Sequence, residues 1–358
     1  MMTPRDISRL RLLRQHIGDQ RSLAVKNLVS RMGAMQAQDY AMVKWAVGVR
    51  IPGITEKTVE DAIDQGEVIR THLLRPTWHM VSSADIYWIL ELTAPHIRRS
   101  LTSRHKELEI TNEILFKSFD LIVEALSDNK HLTREELVNT FEEAGIGTGD
   151  NRAAHLLLCA ELDGLICSGS SRGKLPTYAL LAERVPRQNT CSRDESLARL
   201  AGIYFASHGP ATLPDFVWWS GLPVAEARRA LEMVNHDLHA INLNGETYWL
   251  ADPLSLPPLK EPEIYLLPAF DEFLIGYRDR SASLARKNHK EAVSSNGIFR
   301  PVIVLDGRIV GVWKRILKGD SVILETDYFN RSSKSFNHLV KNAATRFGIF
   351  LGRKAEVK

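Results

Sequence analysis

Met32-Gly33-Ala34-Met35-Gln36-Ala37-Gln38-Asp39-Tyr40, continued by Lys44-Trp45-Ala46-Val47-Gly48-Val49-Arg50, is the stretch on which the reading of this chain turns. Two glutamines flank one small apolar residue, and a carboxylate follows at once. In extended backbone, residues i and i+2 point the same way, so Gln36 and Gln38 can address one target together. On a helix they would lie about 200° apart. Met42, Trp45, Ala46 and Val49 have helical spacing, which predicts a helix beginning near Asp39 as its N-cap. The glutamine pair then sits at the lip of that helix, beside its free backbone N–H groups. On spacing alone the plainer reading, two polar residues tying a turn together, is the stronger one.

Outward from this stretch, Asp6 to His16 reads as a helix with Ile7, Leu10, Leu13 and Ile17 on one face. Ser22 is a candidate cap for a second helix carrying Val25, Leu28, Val29 and Met32. Thr55 caps another, which Gly66 ends. Val68–Leu73 and Thr77–Val81 read as two strands joined through Leu74-Arg75-Pro76, and Asp85 to Ala94 as a helix stopped by Pro95. Several helices followed by a two-stranded ribbon is the order of a winged helix.

That order recurs. Thr133 caps Arg134–Ala144, and Asn151–Asp163 is helical. Leu165–Ser168 and Thr177–Leu180 then flank a Gly/Ser tip bearing Arg172 and Lys174. A third copy runs through helices Glu195–Ser207, Leu213–Ser220 and Pro223–Val234 to a ribbon turning at Asn244-Gly245. This is a repeat of architecture rather than of letters.

From Pro253 the character changes: Pro253, Pro257, Pro258, Pro262 and Pro268 suggest a stiff connector. Short strands follow at Ile264–Leu267, Pro301–Leu305, Ile309–Lys314 and Ser321–Glu325, with a hairpin at Asp306-Gly307. Phe336–Phe347 is a basic amphipathic helix. The expected fold is mainly α with β: tandem winged-helix (helix-turn-helix) units, then a small C-terminal β-barrel-like domain. The expected units are 1–111, 112–190, 191–260 and 261–358.

Of 358 residues, 44% are hydrophobic and 25% charged, the balance of an ordinary globular protein. No apolar run is long enough to cross a bilayer, and Met1 to Asp6 leads into a charged helical pattern without the apolar core expected of a signal peptide. Cys159, Cys167 and Cys191 lack disulfide or zinc spacing, which points to a reducing cytoplasm. Net charge is +3, but Ile275 to Lys358 holds 17 Lys and Arg against 7 Asp and Glu. Such asymmetry fits a polyanion-binding end, and a positive face can equally serve solubility.

Arg172 and Lys174, and Arg308 with Lys314 and Arg315, lie on hairpins and suit phosphate contact. His72 and His79 sit on the two N-terminal strands without metal-ligand spacing, so they read as structural, and no metal or organic cofactor is expected. Pro268-Ala-Phe-Asp271-Glu272-Phe-Leu-Ile-Gly-Tyr277-Arg278-Asp279-Arg280 is denser in polar groups than a core needs. Asp271 and Arg278 are a candidate ion pair fixing a domain junction. No P-loop, GxGxxG, GxSxG or Cys/His nucleophile pattern occurs.

The segments Met35–Asp39, Arg75-Pro-Thr77-Trp78-His79-Met-Val81, Leu267–Glu272 with Gly276–Arg280, and Arg300-Pro-Val with Asp306-Gly307-Arg308 and Gly311-Val-Trp313 carry a resemblance. Through them the chain resembles the winged-helix DNA glycosylases typified by AlkZ and YcaQ over nearly its full length. The resemblance implies tandem winged helices and a C-terminal β-barrel around a concave face sized for DNA. It implies that Gln36 and Gln38 are catalytic, because Gln36-Ala37-Gln38 is similar to the AlkZ-like glutamine–apolar–glutamine motif, where YcaQ-like members end in aspartate. Asp39 and His79 become candidate accessory residues. Arg50, Arg75, Thr77, Arg172, Lys174, Arg278, Arg280, Arg308, Lys314 and Arg315 become candidate DNA contacts. The partner implied is double-stranded DNA carrying alkylation damage, with no membrane partner. A cytoplasmic, nucleoid-associated monomer is expected, since nothing resembles a dimerisation element.

Two neutral amides suit a cationic N7- or N3-alkylated purine, which departs without a general acid. They can orient water at C1′ and offer carbonyl oxygens to an oxocarbenium-like sugar. Asp39 should point away from them by alternation. Bulky or crosslinked bases do not fit a tight pocket, so full base flipping is not required. Competing readings are a non-enzymatic winged-helix DNA binder, such as a regulator or nucleoid protein, and a protein scaffold without DNA affinity.

Overall fold

The computed structural model describes residues 2–173, 175–187, 191–252, 262–330 and 336–358. Pro253, Pro257 and Pro258 of the expected connector lie outside them, as does Lys174.

Thr3 opens helix Pro4–Arg14 with a reciprocal capping box to Asp6. Helix Val25–Met32 starts after Ala24 with no side-chain cap, so Ser22 does not play the expected part. Then come β1 (Met35–Gln36), helices Tyr40–Gly48 and Glu56–Asp64, and the antiparallel pair β2 (Val68–Leu73) and β3 (Thr77–Ser82). The sheet order is β1-β3-β2. Strand β1 ends early because Asp39 accepts from the Met42 N–H at 3.0 Å and so starts the next helix.

Helix Ile86–Glu107 runs straight through Pro95, where the sequence predicts a stop. Proline in a helix interior costs about 3 kcal/mol. Beyond it, however, Ile97 and Leu101 bury against Leu158 and Leu162, and that packing carries the helix onward.

The second unit repeats the connectivity. Helix Asn112–Leu126, β4 (Leu132–Thr133), helices Arg134–Glu143 and Arg152–Leu162, β5 (Ile166–Ser168) and β6 (Thr177–Leu180) give a sheet ordered β4-β6-β5. In the third, helices Arg193–His208, Leu213–Ser220 and Val224–Val234 precede the hairpin β7 (His239–Leu243) and β8 (Glu246–Leu250). A single bridge from Ala211 to Trp249 stands where the other units have a third strand.

The C-terminal part is a curled five-stranded sheet, a half-barrel: β9 (Ile264–Leu267), β10 (Val302–Leu305), β11 (Arg308–Lys318), β12 (Ser321–Tyr328) and β13 (Lys354–Val357), ordered β13-β12-β11-β10-β9. It stays open, since β9 and β13 are its two edges, where a barrel-like closure was the expectation. Strand β13 escaped the sequence reading: it pairs parallel to β12 only after Gly352, at φ 64°, ends helix Asn337–Leu351. That helix sets Phe347 and Phe350 at 4.9 and 5.1 Å from the Trp45 ring. Gly48 is required there, because a Cβ on it would lie 2.6 Å from Phe350.

The first unit is shared between two cores. Met35, Ala37, Trp45 and Met80 pack with the C-terminal sheet and its helix. Ala34, Ile69, Leu73 and Val81 pack with the third unit around Tyr204 and Trp219. The glutamine stretch lies on the seam between them.

Candidate active site

Alternation along β1 sends Met35 and Ala37 into one core and Ala34 towards the other. Gln36 therefore projects on the Ala34 side. Its neighbour across the sheet is His79, and Thr77, two residues along β3, shares that face. The Thr77 hydroxyl donates to Gln36 Oε1 at 3.3 Å, and Gln36 is 5% exposed. Gln38 lies in the bend after β1 and is exposed. The motif thus places one glutamine buried and held and the other exposed beside it.

Beneath Gln36 sits a carboxylate whose role the sequence did not reveal. The Gln36 backbone N–H donates to Glu272 Oε1 at 2.6 Å. The other oxygen, Oε2, accepts from Trp219 Nε1 at 3.1 Å and faces His208 Nε2 at 3.4 Å. Glu272 is 2% exposed. It opens the short helix Glu272–Ile275, whose cap is Asp271. The available signal was a carboxylate pair set inside the apolar run Leu266 to Ile275. Burial lowers the His208 pKa, with Glu272 opposing, so its ring is neutral at pH 7.

Asp271 is anchored in turn by Arg50, at 2.8 and 2.9 Å from its two oxygens. Arg50 is fully buried and also meets Ala46 O and Gln15 Oε1 at 2.9 Å each. It therefore presents nothing to DNA, contrary to expectation, and it, not Arg278, is the partner of Asp271. Arg278 lends its backbone N–H to Asp215 at 2.9 Å while remaining exposed. Arg11 completes the seam, lying 3.4 Å from Asp215 and 3.7 Å above the Tyr277 ring. These contacts bind residues 271–280 to the first and third units at once.

The accessory candidates are both structural in their contacts. Asp39 caps its helix. His79 is buried, with Nδ1 2.9 Å from Thr77 O, and burial depresses its pKa to about 3. It cannot supply a proton near neutral pH.

A family model described as DNA glycosylase AlkZ-like matches residues 29–350. The chain belongs to this family. It is 23% identical, over 87% of each chain, to an interstrand DNA cross-link repair glycosylase of Streptomyces sahachiroi. Its fold matches that of the Streptomyces sahachiroi DNA glycosylase AlkZ with a TM-score of 0.82 over the full length of both chains, at 20% identity. An AlkZ-like glycosylase is an enzyme that cleaves N-glycosyl bonds, so the non-enzymatic and scaffold readings fall away.

The remaining basic residues of this AlkZ-like chain separate into held and free. Arg172 is held by Glu136 and His131 O, at 2.7 and 2.6 Å, so a DNA contact there would have to compete with an ion pair. Lys314 meets Glu325 at 2.9 Å but is largely exposed, as is Arg308. Arg315 is half-buried on the same hairpin. Arg75 and Arg280 flank the exposed Trp218 beside the Gln36 seam. His72 bonds to the buried Glu161 and lies tilted against Trp78, with ring centres 4.1 Å apart. Among the described residues, no helix is long and apolar enough to cross a membrane.

Proposed function

We propose that this glycosylase excises cationic N-alkylated purines from duplex DNA, and unhooks crosslinks formed through such bases, with Gln36 and Gln38 as its catalytic residues. The observation that carries the reading is the doubly fixed Gln36. Its side-chain oxygen is held by Thr77 and its backbone N–H by a buried carboxylate, beside the exposed Gln38 of the same motif.

Alkylation at N7 or N3 leaves the purine cationic, so the C1′–N bond breaks with its electron pair passing to a base that departs neutral. The sugar is left oxocarbenium-like. Water adds at C1′ and releases its proton to solvent. The exposed Gln38 orients that water, and the Gln36 carbonyl oxygen, aimed in advance, faces the developing positive charge. No side chain need act as a general acid, which agrees with a buried, neutral His79.

The helix–strand–helix–helix–strand–strand order of the first two units, and the related third, supports reading all three as winged helices. Together with the open sheet they would present duplex DNA to the seam, the protein acting as a cytoplasmic monomer. Duplexes carrying N7-methylguanine, N3-methyladenine or a nitrogen-mustard crosslink, followed by cleavage at abasic sites, test the reading. Excision that Gln38→Ala slows about 10²–10³-fold supports it, and excision of none of these lesions by the wild type refutes it.

A further inference from the structure

Outside the glutamine motif, Arg75, Trp218 and Arg280 make an unusual group. Trp218 is 38% exposed although its Nε1 is pinned to Ile275 O at 2.8 Å, so the indole is held facing outward. The Arg75 and Arg280 guanidinium carbons lie 5.6 and 5.2 Å from its ring centre. Arg280 is positioned by Leu274 O at 2.9 Å and Phe299 at 4.9 Å. Neither arginine has a carboxylate partner among the described residues, and Arg75 Nε and Arg280 Nη2 are buried atoms with no hydrogen bond there. Burial lowers both pKa values, that of Arg280 to about 10, against the opposing pull of Asp215 and Asp279, neither of which forms an ion pair with it. Glu272, which acts on Arg75 from a distance, is already occupied by Gln36, Trp219 and His208.

Cations set in a wall without a paired anion are costly unless one arrives. We propose that Arg75, Trp218 and Arg280 form a clamp for one DNA phosphate flanking the excised nucleotide, with the indole packed on the adjoining deoxyribose. Arginine suits the task because its flat, weakly hydrated fork both stacks on an aromatic ring and pairs with phosphate oxygens. The location fits, since Arg75 lies two residues before Thr77, which holds Gln36. Such a contact carries no base information and fixes the register of the backbone against the site.

The proposal rests on Gln36 marking the reacting sugar, but its test reads binding, independent of excision. Affinity is measured for duplexes carrying N7-methylguanine, with each phosphate near the lesion replaced in turn by a neutral methylphosphonate. Arg280→Gln and Trp218→Ala should weaken binding about tenfold, while Trp218→Phe retains most of it and thermal unfolding shows each variant folded. One methylphosphonate should weaken the wild type by a similar factor and Arg280→Gln hardly further. If every methylphosphonate weakens Arg280→Gln as much as the wild type, or if Arg280→Gln and Trp218→Ala bind normally, the clamp is refuted. If Gln38→Ala excises at the full rate while the methylphosphonate and Arg280→Gln effects coincide, the catalytic assignment fails and the clamp stands.

Discussion

Glu272→Ala is the perturbation whose consequence follows most directly from the geometry. The side chain is 2% exposed and accepts from Gln36 N–H at 2.6 Å and Trp219 Nε1 at 3.1 Å. Alanine leaves both donors buried without an acceptor, at about 1–3 kcal/mol each, so stability should fall by about 2–6 kcal/mol. The His208 contact, at 3.4 Å, adds little. Glu272→Gln keeps a carboxamide oxygen for Gln36 while the stronger, charge-assisted bond is lost. Its NH2 then faces the Trp219 Nε1–H and leaves that one donor without an acceptor, so the variant should lose about 1–3 kcal/mol, less than the alanine. A slackened Gln36 should show in kcat, where a misplacement of about 1 Å costs up to about 10²-fold, and much less in KM. Urea unfolding followed by single-turnover excision of N7-methylguanine measures both. Wild-type stability and wild-type kcat in Glu272→Ala would refute the reasoning.

Two further expectations concern the seam and its histidines. Arg50→Met strands the Asp271 carboxylate, fully buried in the native protein, so urea unfolding should show a loss of about 3–5 kcal/mol. Binding of unmodified DNA, measured on the fraction that stays folded, should be unchanged. His79 titrates near 6.5 when unfolded but at about 3 when folded. The unfolded chain therefore takes up the proton first as pH falls, and stability present above pH 6.5 drains away at about 1.4 kcal/mol per pH unit towards pH 3. His208, also lowered, adds in the same direction. His79→Gln should flatten the pH dependence of the urea midpoint over that window.

Local structure was legible wherever one short-range rule governed it. Asp39, Thr55 and Thr133 cap the helices they were expected to cap. Asn244-Gly245 and Asp306-Gly307 adopt the positive φ angles their tight hairpins require. What stayed hidden depends on distant partners. Pro95 reads as a stop until Leu158 and Leu162 are known to cover the next turns. Arg50 reads as a DNA contact until Asp271, 221 residues away in sequence, is seen beside it. Glu272 stood in a segment already marked by its polar density and family likeness, but only the packing of residues 271–280 against β1 shows that it holds Gln36, and Trp218 carried no motif of its own. The glutamine pair was found from its spacing and its family likeness, but spacing alone could not say that one member is buried and the other exposed.

The central claim is that the two glutamines perform the excision and contribute little to holding DNA. Single-turnover release of N7-methylguanine by Gln36→Ala and Gln38→Ala, at saturating enzyme and alongside duplex affinity, tests it most directly. Each substitution should slow excision about 10²–10³-fold, equivalent to about 2.7–4 kcal/mol for one preorganised contact. Affinity should remain within about threefold of the wild type, since such a contact is made in the transition state and not in the bound ground state. Gln38→Asp should retain excision of the cationic base. Wild-type rates in both alanine variants would contradict the assignment.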